Sequence, residues 1–252
     1  MNIFFEYINY RWNAKQLQGI HSPFIFDLMH SMVSNKIKKE NEAALIHFIK
    51  SNRDNEAIIN VSDYGAKSKK LKKKRVVKQI FKTSSSYGKS GKLLYHLCKH
   101  HKPNRILELG TSIGMGSLYM HLGAPKSKLI TIEGCPETFN QAKKNLNKYP
   151  IELINNTFND GIKKLNAERF DLIFIDGHHD GKALLSYVKD LKENVHDDTI
   201  IVLDDIRWSA SMLKSWNLLK NSNEFNLSLD FFRMGVLMKR PQQAKEHFVL
   251  KA

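Results

Sequence analysis

Hydrophobic positions along this 252-residue chain follow two rhythms, one in each part. Over residues 1–60 the spacing is helical. In "HSPFIFDLMHSMV", Ser22 suits an N-cap and Pro23 the first helical position, and Ile25, Leu28, Met29 and Met32 then share one face. "NEAALIHFIKS" predicts a second short helix, and "VSDYGAKSKK" a loop. "LKKKRVVKQIFK", residues 71–82, predicts a helix with Val76, Val77, Ile80 and Phe81 on one side and lysines elsewhere. "SSSYGKSG" breaks it and "KLLYHLCKHH" starts another.

From Arg105 the rhythm alternates. "RILELG", "KLITIEG", "IELINN", "FDLIFIDG" and "TIIVLDD" predict five strands, and the fourth is an apolar run of the kind buried on both faces. Between them run amphipathic helices that align Phe139, Ala142 and Leu146; Leu184, Val188 and Leu191; and Met212, Trp216 and Leu219. "FNLSLDFF" and "GVLMKR" close the chain as strands separated by Arg233 and Met234, a gap that suits a hairpin. The sum is an α/β fold: a doubly wound, mainly parallel, Rossmann-like sheet with an antiparallel C-terminal hairpin and a helical N-terminal extension. The expected division is an extension over residues 1–87 and the α/β domain over 88–252.

Composition adds limits. A hydrophobic fraction of 42% suits one domain with a core plus a small appendage. No run approaches the ~20 apolar residues of a membrane span, and the N-terminus lacks a signal-peptide pattern. The two cysteines, Cys98 and Cys135, have neither C-x-x-C nor zinc spacing. A reduced, cytoplasmic protein is expected. The net charge of +15 is uneven: residues 1–100 hold 19 lysines and arginines against 7 acids. The basic run Lys67–Lys78 reads first as a solvated helix face, with nucleic acid a less favoured partner because no aromatics interleave with it.

The turn after the first strand, "ELGTSIGMGS", lies where such sheets bind ligands. Gly110, Gly114 and Gly116 allow close approach to the backbone, but Ser112 occupies the second glycine position of the dinucleotide fingerprint. Glu108 would repel a pyrophosphate, so a ligand with a cation near the turn fits better. S-adenosylmethionine is such a ligand: its methionine end pairs an ammonium with a carboxylate that backbone N–H groups can take. Glu133 ends the second strand, where an acid accepts hydrogen bonds from ribose hydroxyls, in NAD and S-adenosylmethionine alike.

"LELGTSIGMGS", "ITIEGCPET", "FDLIFIDGHHD" and "IIVLDDIRWS", in this order, resemble a class I S-adenosylmethionine-dependent methyltransferase, over about residues 88–240. The form E-x-G-x-x-x-G-x-[SG] is similar to the catechol and caffeoyl-CoA O-methyltransferase branch and its bacterial relatives. The resemblance implies that Glu108, Gly110, Thr111, Ser112 and Gly114 line the methionine end and Glu133 the ribose. It implies Phe158 and Asn159 near adenine and Asp176 at the border of cofactor and acceptor. A helix-capping role for Asn159 or Asp160 stays open beside that reading. Asp176 and Asp204 match metal positions of the metal-dependent members, with Asp205 where those members carry asparagine. Three such oxygen donors suit Mg²⁺; the alternative is that Asp204 and Asp205 cap the following helix.

His179 lies three residues after Asp176, where the catechol branch has its basic lysine; a histidine with an ordinary pKa near ~6.5 accepts a proton at neutral pH. His178 is the neighbouring alternative. Arg207 and Trp208 are expected at the acceptor pocket. The absence of D-P-P-Y or N-P-P-Y after the fourth strand, and of a cysteine near the strand ends, argues against base methylation. The expected function is O-methylation of a small hydroxylated acceptor. Alternatives are an RNA or protein methyltransferase docking an anionic partner, or a non-catalytic adenosyl-ligand module.

Overall fold

The computed structural model describes residues 2–15, 22–34, 36–62, 73–84 and 86–251. The N-terminal part holds α1 (Ile3–Asn13), α2 (Pro23–Ser34), α3 (Lys39–Arg53), β1 (Ile58–Val61), β2 (Lys73–Val76), α4 (Val77–Ser84) and α5 (Lys89–His101). The alternating part follows with β3 (Arg105–Leu109), α6 (Met115–Gly123), β4 (Lys128–Glu133), α7 (Pro136–Leu146), β5 (Ile151–Asn155), α8 (Phe158–Lys164), β6 (Leu172–Ile175), α9 (Gly181–Asp190), β7 (Ile200–Leu203) and α10 (Ala210–Asn221). It ends in β8 (Leu227–Asp230), β9 (Gly235–Met238) and β10 (Glu246–Val249).

Eight strands form one sheet in the order β10-β8-β9-β7-β6-β3-β4-β5. β9 runs antiparallel to both its neighbours, and the other pairings are parallel. The chain moves outward from β3 through β4 to β5, then returns to the other side of β3 as β6. That reversal opens a crevice beyond the carboxyl ends of β3 and β6, the switch point where open sheets of this kind receive ligands.

The continuous apolar runs are explained by helices on both faces. Ile106, Leu129, Leu172, Phe174 and Val202 enter one core with α2 to α7. Their alternates Leu107, Leu109, Ile130, Ile173, Ile175 and Leu203 enter the other with α8, α9 and α10. The first core includes Ile25 and Leu28 of α2, Leu45 and Phe48 of α3, and Ile80 and Phe81 of α4, so apolar packing runs unbroken between the N-terminal helices and the sheet. Among the described residues no helix is long and apolar enough to cross a membrane.

The five expected strands, the helices between them and the β8–β9 hairpin stand at the expected places. Two features differ. The helix expected over residues 71–82 begins only at Val77, because Lys73–Val76 pair antiparallel with Ile58–Val61. Local pattern cannot see that partner strand. β10 adds a parallel edge strand beside β8, from a short segment with little alternation. Much of the lysine run, residues 67–72, lies outside the described residues; Lys78, at its end, pairs with Glu56.

α1 docks at the carboxyl end of the sheet. The Tyr10 hydroxyl donates to the Leu250 carbonyl at 2.5 Å, and Tyr7 and Tyr10 pack on Phe232 with ring centroids 5.1 Å away. α5 and α6 cross closely because Gly123 brings the α6 end against the Tyr95 carbonyl and Cys98. A methyl at that position has nowhere to go. Gly123→Ala is expected to destabilise the protein by about 1–3 kcal/mol, read as a lower urea midpoint with an unchanged m-value.

Candidate active site

Each candidate side chain sits at a strand's carboxyl end or on the turn after it. β3 ends at Leu109, and Gly110 (φ 106°) turns so tightly under β6 that a Cβ there would collide with the Asp176 carbonyl. Ser112 (φ 50°) and Gly114 (φ 97°) complete the turn, and α6 starts at Met115. The first N–H groups of α6 have no intrahelical partner by geometry, so this turn presents donors toward the crevice.

Two carboxylates hold the turn. Glu133, at the end of β4, accepts from the backbone N–H of Ser112 at 2.9 Å and of Cys135 at 2.9 Å, tying the glycine turn to the β4–α7 turn. Burial raises its pKa, and those N–H donors act against the rise. Glu108 lies deeper, at 1% exposure, and accepts from the hydroxyls of Ser117 and, at 2.6 Å, Thr131. Thr131 also bonds the Thr111 hydroxyl at 2.6 Å. Glu108 is thus a buried acceptor beneath the turn, held by these hydroxyls. Its oxygen sits 2.7 Å from where a Cβ on Gly116 would stand, which explains glycine there.

Phe158 begins α8 and packs on His178 and Tyr187, with ring centroids at 5.3 and 5.5 Å. Asn159 is exposed. The cap of α8 is Thr157, which accepts from the Asp160 N–H and donates to its carboxylate at 2.9 Å; neither Asn159 nor Asp160 holds the cap position. His178 is hydrogen-bonded to the Tyr187 hydroxyl and stacked on its ring, which turns it toward α9.

Asp176, Asp204 and Asp205 do converge. The Ser86 hydroxyl bridges them, 3.0 Å from Asp176 Oδ2 and 3.4 Å from Asp204 Oδ2. Burial raises the Asp176 pKa well above the carboxylate range, and the charges of Asp204 and Asp205 push the same way. Burial and Asp204 also raise that of Asp205. Among the described residues no group of three His, Cys, Asp or Glu side chains is arranged to hold a metal. Arg233 takes up the acids instead: Nε lies 3.2 Å from Asp204 Oδ1 and 2.9 Å from Asp205 Oδ1, and Nη2 lies 3.1 Å from Asp204 Oδ2. Asp204 and Asp205 do not cap α10; Ser209 does.

His179 Nδ1 lies 3.5 Å from Asp205 Oδ2, and its ring sits 5.1 Å from that of Trp208, which is 66% exposed. His179 and Trp208 thus form an open rim around the acids. Arg207 makes a two-point pair with Asp230 at 2.8 and 2.7 Å, bonds the Phe232 carbonyl, and lies over the Phe232 ring at 5.1 Å. Among the described residues, five of the eight non-glycine residues with positive φ stand around this crevice: Ser112, His178, His179, Asp205 and Phe232. Each left-handed residue stores about 1–3 kcal/mol that the surrounding packing overcomes, a recurrent property of functional sites.

Sequence reasoning missed Ser86, Tyr187 and Arg233. For Arg233 a signal existed. A hairpin whose second strand runs antiparallel to β7 must place its turn at the carboxyl edge, and Leu203 is indeed opposite Gly235.

Burial pushes the Glu108 carboxyl from its ordinary 4.5 up to about 7, against the pull of Ser117 and Thr131. An acid raised on folding contributes stability that is fully present below its unfolded value and lost as pH rises through the folded one. Stability should therefore fall between about pH 5 and pH 8, by up to about 3 kcal/mol. Glu108→Gln should flatten that slope in urea titrations at the two pH values.

Residues 107–206 match the family model described as a methyltransferase domain. No curated protein matches the chain. Solved structures similar in fold include an SAH-bound methyltransferase of Podospora anserina, with a TM-score of 0.60 and 18% identity over 90% of this chain and 99% of that one. An O-methyltransferase of Bacillus cereus in complex with SAH gives a TM-score of 0.56 and 16% identity over 84% and 96%. A putative caffeoyl-CoA O-methyltransferase of Staphylococcus aureus gives 0.57 and 15% over 86% and 97%. The match over residues 107–206 lies within a sheet whose fold is that of these solved methyltransferases, so the chain shares their Rossmann-like architecture and resembles a methyltransferase domain across that stretch.

Proposed function

We propose that this chain methylates the hydroxyl of a small acceptor, with S-adenosylmethionine as donor. The observation that carries the reading is the juxtaposition of two half-sites along one sheet edge. A glycine turn gripped by Glu133 ends β3, and a His179–Asp205 pair stands beyond the ends of β6 and β7.

The residues present fit the donor. The tight turn at Gly110, the open first turn of α6 and the acid at the end of β4 supply backbone donors for a carboxylate and an acceptor for ribose hydroxyls. Gly110, Thr111, Ser112 and Gly114 are proposed at the methionine end with Glu108 beneath them, Glu133 at the ribose, and Phe158, Asn159 and Asp176 along the rest of the ligand. When bound, the sulfonium supplies an electrophilic methyl carbon.

The chain's own part is to orient the acceptor and to take its proton. His179 is the proposed base. Asp205, at 3.5 Å from Nδ1, fixes the ring and stabilises the imidazolium that forms when the other nitrogen accepts the hydroxyl proton. Asp176, whose pKa burial raises, stands between the two half-sites and can hydrogen-bond the acceptor. α1 and the Ser86 segment are proposed as a cap that sets acceptor shape, because Tyr7 and Tyr10 pack on Phe232 and Ser86 reaches both Asp176 and Asp204.

Calorimetry with S-adenosylhomocysteine and with NAD tests the donor: heat with the first and none with the second is expected, and the reverse overturns the reading. His179→Asn should lower kcat by about 10²–10⁴-fold on an accepted catechol-like substrate, with S-adenosylhomocysteine affinity unchanged. An unaltered kcat would remove His179 from the base role.

A further inference from the structure

The acids that follow β6 and β7 converge on one another, and the chain itself supplies a cation to them. We propose that Arg233 stands in this cluster in place of a metal ion, so that the site neutralises its carboxylates and works without one. The part concerning turnover rests on the methyltransferase reading above; the part concerning metal exclusion does not.

The geometry is specific. Three contacts of 2.9–3.2 Å join the Arg233 guanidinium to both oxygens of Asp204 and to Oδ1 of Asp205. The remaining acceptor capacity of Asp204 is drawn on by the Asp205 N–H at 2.9 Å and by Ser86. The Asp204 side chain is fully enclosed, and His179 faces Asp205 from its free side. A Mg²⁺ or Mn²⁺ ion needs about six oxygen donors around it. Here both oxygens of Asp204, Oδ1 of Asp205 and Oδ2 of Asp176 already face N–H or O–H donors, and an approaching ion would meet a fixed positive charge at contact distance.

Arg233 is also held by its backbone, not merely by its charge. Its carbonyl accepts from the Ile206 N–H at 2.9 Å, on the loop that carries the two acids, and its own N–H donates to the Phe231 carbonyl at 2.9 Å. Phe232 N–H donates to Asp230 Oδ1 at 2.8 Å, fixing the same turn from the other side. A guanidinium on so constrained a turn is part of the site's framework. Arginine suits the task, since its planar fork pairs two carboxylates and stays charged at any physiological pH. With a side chain 46% exposed, it also offers positive charge on the open side of the cluster, where an acceptor oxygen loses its proton.

The test is Mn²⁺ binding, followed by calorimetry and by the electron paramagnetic resonance of the free ion. The wild-type chain should show no saturable site. Arg233→Ala, checked by circular dichroism, should gain one at least about tenfold tighter than any wild-type affinity, and adding Asp205→Asn should remove the gain. Arg233→Gln, which keeps hydrogen-bonding capacity without charge, serves if the alanine variant does not fold. Chelators should leave wild-type turnover unchanged. A saturable wild-type site that Asp204→Asn abolishes would overturn the proposal, as would the absence of any gain in both folded arginine variants. Titration of the same wild-type sample with S-adenosylhomocysteine separates the two readings: a sample that binds neither ligand refutes the proposed function and leaves the metal exclusion standing.

Discussion

Three carboxylates in one partly closed crevice repel one another, and burial strips them of the water that would screen that repulsion. Two unit charges about 4 Å apart interact by about 4 kcal/mol at an effective dielectric of about 20. The fold answers with a cation from a different part of the chain. Arg233 reaches Asp204 and Asp205 only because β9 runs antiparallel to β7, which brings the β8–β9 turn to the carboxyl edge. The antiparallel end of the sheet is thus tied electrostatically to the chemistry at its centre. The strained backbone of Asp205 and His179 is tolerable because these pairs and the packing around them overdetermine it.

A similar arrangement stands one strand away. Glu108 and Glu133 lie at the ends of β3 and β4, and among the described residues neither has a cationic partner. Their oxygens are met by hydroxyls and backbone N–H groups. Hydrogen bonds without a countercharge leave burial dominant, and the pKa values of both rise. The crevice therefore has one half whose carboxylates are stabilised by neutral donors and another where a guanidinium supplies the charge. A positively charged ligand segment is favoured in the first half by the same physics that fills the second with arginine.

The alternating strands and helices from Arg105 onward were legible because both sides of a parallel sheet are covered. The resulting apolar runs are long, continuous and separated by glycine, proline and capping residues. The candidate positions at the strand ends followed from that frame. What stayed hidden depended on pairing at a distance. Lys73–Val76 carries a helical pattern into α4, yet it is a strand because Ile58–Val61 lies beside it. Asp205 is paired with Arg233, 28 positions on, and Arg207 with Asp230, and no local pattern announces either pairing. Each is a case where side-chain partners distant in sequence, and not local preference, decide the role.

The bond from Tyr10 to the Leu250 carbonyl links the beginning of the fold to its outermost strand. Edge strands fray first, since one of their sides lacks a ladder partner. Because the same tyrosine rests on Phe232 beside the crevice, loosening of β10 would loosen α1 with it. Breathing at the periphery of the sheet is in this way geared to the opening through which an acceptor would enter.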